Sequence, residues 1–231
     1  MKTDRQSGFS LVELLLVVVI LLVIAGITAP RMLGIIDDQK VRASAQAYAG
    51  LLQTARSRAT QDNQTYQVLT TTTNGTPIAY VDLHKSDDAD GNQTYEPNGS
   101  AANGNNPEPA VLLASPITIG DSGVPAGFDT DTLLGMTPFS DSTSPMVKMD
   151  GNAMPGLAFN ERGLPCQRVQ ANQVCKNAPV MNVGGVNQAV PIAYVTYLRY
   201  ARRDGGTSFV AITVTPAGRI KTWVYQGGKW Q

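Results

Sequence analysis

One histidine and two cysteines in 231 residues leave little room for a zinc site or a histidine-based catalytic triad. Charge is also sparse, at 16% of residues. Its 18 basic and 18 acidic side chains cancel, which argues against a surface that grips nucleic acid all over. No nucleophile elbow, His-Glu zinc helix or phosphate loop occurs, so nothing supports a membrane-tethered enzyme. Hydrophobic residues nevertheless reach 42%, enough for a buried core and too many for wholesale disorder. The length suits one ordinary domain with an appendage, or two very small domains.

The apolar residues are unevenly spread. From Phe9 to Ala29 the only ionisable side chain is Glu13. As a helix, this run would reach roughly 30 Å, the thickness of bilayer hydrocarbon. The polar leader Met1–Gly8 carries Lys2 and Arg5 against Asp4, a bias that keeps a leader cytoplasmic and sends the remainder across the membrane. A secretory signal peptide fits poorly: the run is too long and no small-x-small cleavage site followed by polar chain ends it. Glu13 argues against a plain anchor, because a carboxylate in a spanning helix costs a few kcal/mol unless paired.

Gly8-Phe9-Ser10-Leu11-Val12-Glu13-Leu14-Leu15 resembles the signal of type IV prepilins and type II secretion pseudopilins. In that family a membrane prepilin peptidase cuts after the glycine and N-methylates the new terminus. The resemblance implies that Gly8 precedes the cut and that Phe9 becomes the methylated mature terminus. It also implies that Glu13 is the acid used in assembly and Pro30 the helix-kinking proline. A carboxylate awkward in lipid is satisfied if it pairs with the Phe9 amine of an adjacent subunit, a contact that would set axial register.

Beyond Pro30, apolar or small residues recur at Val41, Ala45, Tyr48, Leu52, Ala55 and Ala59, spaced four, three, four, three and four apart. That is one stripe of an amphipathic helix, suited to carrying a globular head. The expected helix from Phe9 to Thr60 is roughly 75–80 Å long, kinked near Pro30 and ending at Asp62-Asn63. Two unrelated helices are the alternative. The head expected after it is a mainly antiparallel sheet. Tyr66–Thr70 and Ile78–Val81 flank an Asn74-Gly75 hairpin turn, and regular pattern returns at Leu157–Asn160, Ile192–Tyr200, Ser208–Thr215 and Arg219–Tyr225.

The fold class is therefore α+β, with a long N-terminal helix packed by its C-terminal half on the sheet, the pilin-like arrangement. The expected division is 1–8 leader, 9–30 transmembrane and assembly helix, 31–62 amphipathic continuation and 63–231 periplasmic head. Within the head, 82–155 reads as a loop-rich acidic insertion with one or two short strands. Twelve acids from Asp82 to Glu161 face only Lys85 and Lys148 there. Three short stretches bring the chain close to pseudopilin H and the FimT/FimU minor pilins. They are Ala55-Arg56-Ser57-Arg58-Ala59, Phe159-Asn160-Glu161-Arg162-Gly163 and Thr215-Pro216-Ala217-Gly218-Arg219.

An oxidising periplasm would join Cys166 and Cys175 as a loop-closing disulfide, while metal or redox roles find neither Cys-x-x-Cys spacing nor a nearby histidine. Asp88 and Asp90 in Ser86–Asn92 invite a calcium reading, but Ser86 and Pro97 spoil the EF-hand template, so a solvated loop is preferred and no cofactor is expected. His84 beside it reads as an ordinary surface histidine.

In the last strand, alternation groups Arg219, Lys221, Trp223 and Tyr225, a mixture able to hold a nucleic-acid backbone and stack bases. FimT-type pilins of DNA-uptake systems carry a C-terminal Gly-Arg-x-Arg element, which Gly218-Arg219-Ile220-Lys221 resembles with lysine in the last place. The competing reading makes Trp223 core and the cations a wetted rim. The functional expectation is a structural minor pilin or pseudopilin, not an enzyme, with a DNA-binding minor pilin as the alternative. Its partners would be other pilins or pseudopilins, prepilin peptidase, an inner-membrane assembly platform, and membrane lipid before assembly. Its location would be the inner membrane with a periplasmic head, and afterwards a periplasmic pseudopilus or surface pilus.

Overall fold

An apolar stripe on a long helix needs a cover that the helix cannot supply, and the computed structural model supplies it with two sheets. It describes residues 10–83, 95–99, 105–120, 123–125, 146–149, 157–166, 175, 180–183, 185–189 and 193–231.

The helix α1 runs unbroken from Leu11 to Asp62, 52 residues, or about 78 Å at 1.5 Å each. The run is continuous across Pro30, whose missing N–H leaves the Gly26 carbonyl without its usual helical donor. Ser10 precedes α1 in extended conformation, and its carbonyl accepts the Glu13 and Leu14 N–H groups. At the far end Asn63 turns left-handed (φ 53°) and donates its backbone N–H to the Ala59 carbonyl. Asparagine tolerates that conformation better than most residues, which is why the helix stops there.

Among the described residues thirteen strands follow: β1 (Tyr66–Thr73), β2 (Thr76–Asp82), β3 (Ala110–Leu112), β4 (Ile117–Ile119), β5 (Met146–Met149), β6 (Ala158–Phe159), β7 (Pro165–Cys166), β8 (Val180–Val183), β9 (Val186–Ala189), β10 (Ala193–Ala201), β11 (Thr207–Val214), β12 (Ile220–Gln226) and β13 (Lys229–Trp230). One sheet has the order β3-β2-β1-β6-β7, a second the order β13-β12-β11-β10-β4, and β8 pairs with β9. In the second sheet β5 shares an edge of β10 with β4, parallel at Ala193–Thr196, while β4 pairs antiparallel at Leu198–Tyr200. The remaining pairs are antiparallel. The Asn74-Gly75 turn closes β1 onto β2 with both residues at positive φ (52° and 77°), the requirement of a tight hairpin.

One core joins all three layers. Val41, Ala45, Tyr48, Leu52, Ala55 and Ala59 of α1 share it with Tyr66, Val68, Ala79, Val81 and Phe159 of the first sheet. Tyr194, Leu198, Tyr200, Val210, Ile212 and Val214 of the second sheet complete it. All six stripe residues are buried.

Much of the stretch 82–155, expected to be loop-rich with one or two short strands, lies outside the described residues. Its described parts supply β3, β4 and β5, and Leu83, Leu113 and Ile117 enter the main core. The Ala114 N–H also donates to Ser44 Oγ of α1 at 3.0 Å. β3 and β4 fall on the short apolar pieces Val111–Leu113 and Pro116–Ile119 of the sequence, and each extends a sheet edge formed by distant chain.

Candidate functional site

The first candidate surface is the inner half of α1. Every leucine, isoleucine and valine from Leu11 to Ile24 is exposed by 45% or more, on all sides of the helix. A helix apolar all round is built for lipid or for other helices rather than water. Glu13 lies exposed in the first turn, where the helix dipole favours an acid. Among the described residues no helix is long and apolar enough to cross a membrane. The apolar stretch with described side chains, Leu11 to Gly26, covers about 24 Å of the ~30 Å needed.

A second site gathers the three short stretches singled out in the sequence. Arg56 Nη1 donates to the Gly218 carbonyl at 2.8 Å. The turn bearing Gly218 joins β11 to β12, through Gly218 N–H to the Thr215 carbonyl (2.7 Å) and Arg219 N–H to Thr215 Oγ1 (3.1 Å). The turn bearing Gly163 joins β6 to β7, held by Asn160 Oδ1, which accepts the Arg162 and Leu164 N–H groups at 3.0 Å. Both glycines have positive φ, 69° and 79°, and both lie against the arginine. A Cβ on Gly163 would stand 3.3 Å from Arg56 Cγ; one on Gly218 would stand 3.0 Å from Arg56 Cζ and 2.8 Å from the Gly163 carbonyl oxygen. One arginine of α1 thus closes a three-way junction between helix and both sheets.

A polar clamp marks where the covered half of α1 begins. Asp37, fully buried, accepts the Arg203 backbone N–H at 3.0 Å and the Tyr200 hydroxyl at 3.3 Å. Lys40 Nζ and Arg203 Nε each lie 3.9 Å from it. The Arg203 N–H holds this carboxyl below the ordinary carboxylate range; burial opposes the shift, while Tyr200, Arg203 and Lys40 reinforce it. Next to it Asp38 accepts the Ser208 hydroxyl and faces Arg202 Nη1 at 3.7 Å. Arg202 in turn pairs with Asp204 at 3.0 Å. These contacts fasten the β10–β11 turn to the helix, so near that a Cβ on Gly34 would stand 3.6 Å from Asp204 Oδ2.

The candidate nucleic-acid strand is β12. Arg219 and Lys221 are exposed, but Trp223 is only 4% exposed and donates its indole N–H to Thr213 Oγ1 at 2.9 Å. Lys221 Nζ sits 3.5 Å from the centre of that ring. Trp223 belongs to a second cluster, with Val195, Tyr197, Phe209, Ala211 and Trp230, on the face of the sheet turned away from α1. It offers no open face for a base.

Cys166 and Cys175 form a disulfide, with Cα atoms 5.3 Å apart and both residues buried. Gly8, Phe9, His84, Asp88 and Asp90 lie outside the described residues. Among the described residues no cluster of three or more metal-ligating side chains occurs. Sequence reasoning missed the clamp and the role of Arg56. The doublets Asp37-Asp38 and Arg202-Arg203 carry the one available signal, opposite charges in adjacent pairs.

Residues 3–29 match the family described as the prokaryotic N-terminal methylation motif, which supports a type IV pilin-like protein. Comparison with curated proteins and with solved structures found no match. A protein with this signal would be processed by prepilin peptidase and would assemble with other pilins.

Proposed function

We propose that this chain is a structural minor pilin or pseudopilin of the pseudopilin H and FimT/FimU kind, near the tip of a type II secretion pseudopilus or a type IV pilus. The peptidase cuts between Gly8 and Phe9 and methylates Phe9. The 9–30 helix holds the precursor in the inner membrane, and the chain acts by assembly rather than by catalysis. One observation carries the reading: the methylation motif at residues 3–29 overlaps the start of a 52-residue helix whose described apolar side chains in that part are bare and whose other half is packed.

In lipid that bare surface is solvated by acyl chains; in a filament, sibling helices replace them. Glu13 then pairs with a neighbouring subunit's Phe9 amine. The experiment is Glu13→Ala in cells that make the filament. Cleavage should be unchanged while incorporation into sheared filaments falls several-fold. Equal incorporation would overturn the role given to Glu13. The DNA-capture alternative depends on Arg219 and Lys221 without help from Trp223, so the structural reading expects the double alanine variant to leave DNA retention unchanged.

A further inference from the structure

The bare surface of α1 does not stop where the methylation motif does. Met32, Ile35 and Ile36 are 64%, 59% and 44% exposed, and among the described side chains of α1 the first that is fully buried is Asp37. From Leu11 to Ile36 the helix spans about 39 Å, longer than the ~30 Å of bilayer hydrocarbon and close to the ~40–45 Å that includes both headgroup layers.

The β10–β11 turn lies beside the last part of this stretch. Asp204 meets the helix at Gly34, and Arg203 meets it at Asp37. By contrast, the β12–β13 turn is tied through Gln226 to Arg42, about 12 Å further along α1 from Gly34. The β11–β12 turn is tied to Arg56, about 33 Å further. Of these three turns, the one made by Arg202–Gly206 sits lowest on the helix, next to its last bare apolar residues. The Arg203 side chain there is 58% exposed, and Arg202 is braced by Asp38 and Asp204.

We infer that Met32, Ile35, Ile36 and the Arg202–Gly206 turn form a foot by which the head rests on the phospholipid headgroup layer. This rests on the membrane-anchored reading of α1. The apolar side chains enter the interface, and Arg203 reaches down to lipid phosphates, as long cationic side chains do at a membrane surface. Asp37, Asp38 and Asp204 balance the charges of Lys40, Arg202 and Arg203, so the foot fixes depth and tilt rather than supplying net electrostatic attraction. The clamp makes the foot rigid with the head. A subunit in the membrane is then held at one height, with Glu13 at one depth.

The test places a single fluorescent cysteine label on the full chain in phosphatidylcholine–phosphatidylglycerol vesicles, under non-reducing conditions that leave the native disulfide closed. Labels at Ile20→Cys, Thr207→Cys and Ala217→Cys report the apolar helix, the strand beside the foot, and the distant turn. The expected result is strong quenching of the Ile20 label by acyl-chain nitroxides. Headgroup nitroxides should quench the Thr207 label at least threefold more than the Ala217 label, and Ile36→Glu should lower that ratio. Equal quenching at Thr207 and Ala217 with Ile20 still quenched would overturn the foot and leave the membrane reading standing. An unquenched Ile20 label would overturn both.

Discussion

Substituting Gly218 by alanine tests the three-way junction at its tightest point. Gly218 has φ 79°, where a Cβ costs about 1–2 kcal/mol from backbone conformation alone. The new Cβ would also stand 2.8 Å from the Gly163 carbonyl oxygen and 3.0 Å from Arg56 Cζ. The first neighbour is backbone and cannot swing aside, so overpacking adds about 1–3 kcal/mol. Gly227 is the matched control, because its φ is 60° and a Cβ there meets nothing within 4 Å. Gly227→Ala should therefore cost only the conformational part.

The assay is denaturant or thermal unfolding of the full chain in detergent, read by tryptophan fluorescence. Both tryptophans, Trp223 and Trp230, are buried in the second cluster, so the signal reports the head alone. At this length each kcal/mol moves the midpoint by roughly 2–4 °C. Arg56→Ala removes one of the two clashing groups, so its cost should be smaller in the alanine-218 background, with a coupling of about 0.5–2 kcal/mol. If Gly218→Ala and Gly227→Ala destabilise equally, or the Arg56 and Gly218 changes add, the junction is not what holds these turns.

Three other outcomes are expected. Asp37 has a lowered pKa in the folded state, so the stability it lends is complete above the ordinary carboxyl value near pH ~4 and is lost as pH falls through its folded value. Asp37→Asn should flatten an acid unfolding curve in that window, and an unchanged curve would contradict the clamp. Burial pushes the Tyr48, Tyr66 and Tyr194 hydroxyls up to about 12. Native absorbance titration should thus show tyrosines that ionise only well above the usual ~10, with stability lost as pH rises through that interval. Reducing the Cys166–Cys175 bridge, which closes a loop of sequence separation 9, should cost about 2–3 kcal/mol by the chain-entropy model, measured as a shift in the same fluorescence transition.

How much of this was readable in advance depends on whether the signal was local. The stripe from Val41 to Ala59 is periodic within one helix, and the Asn-Gly turn needs only two residues, so both stand out in the string. The junction does not, because Arg56 and Gly218 are 162 residues apart and the resemblance that marks their stretches does not say that they meet. Likewise Asp37 meets Arg203 across 166 residues, a pairing that neither charged doublet signals by itself. Trp223 shows a different limit. Strand alternation put it on the face with Arg219 and Lys221, but that face is partly closed by Val195, Tyr197, Phe209 and Trp230 from other strands. Strand period assigns a residue to a side of the sheet; whether that side is wet depends on what the rest of the chain lays over it.

The methylation motif at the head of an uncovered helix makes its most direct prediction at the chain terminus. Intact mass and N-terminal sequencing of the protein recovered from its own cells should give a chain lacking residues 1–8 and beginning at a methylated Phe9, with Gly8 replaced by a bulky residue abolishing the trimmed form. Recovery of only full-length chain starting at Met1, or normal trimming of the Gly8 variant, would contradict the account.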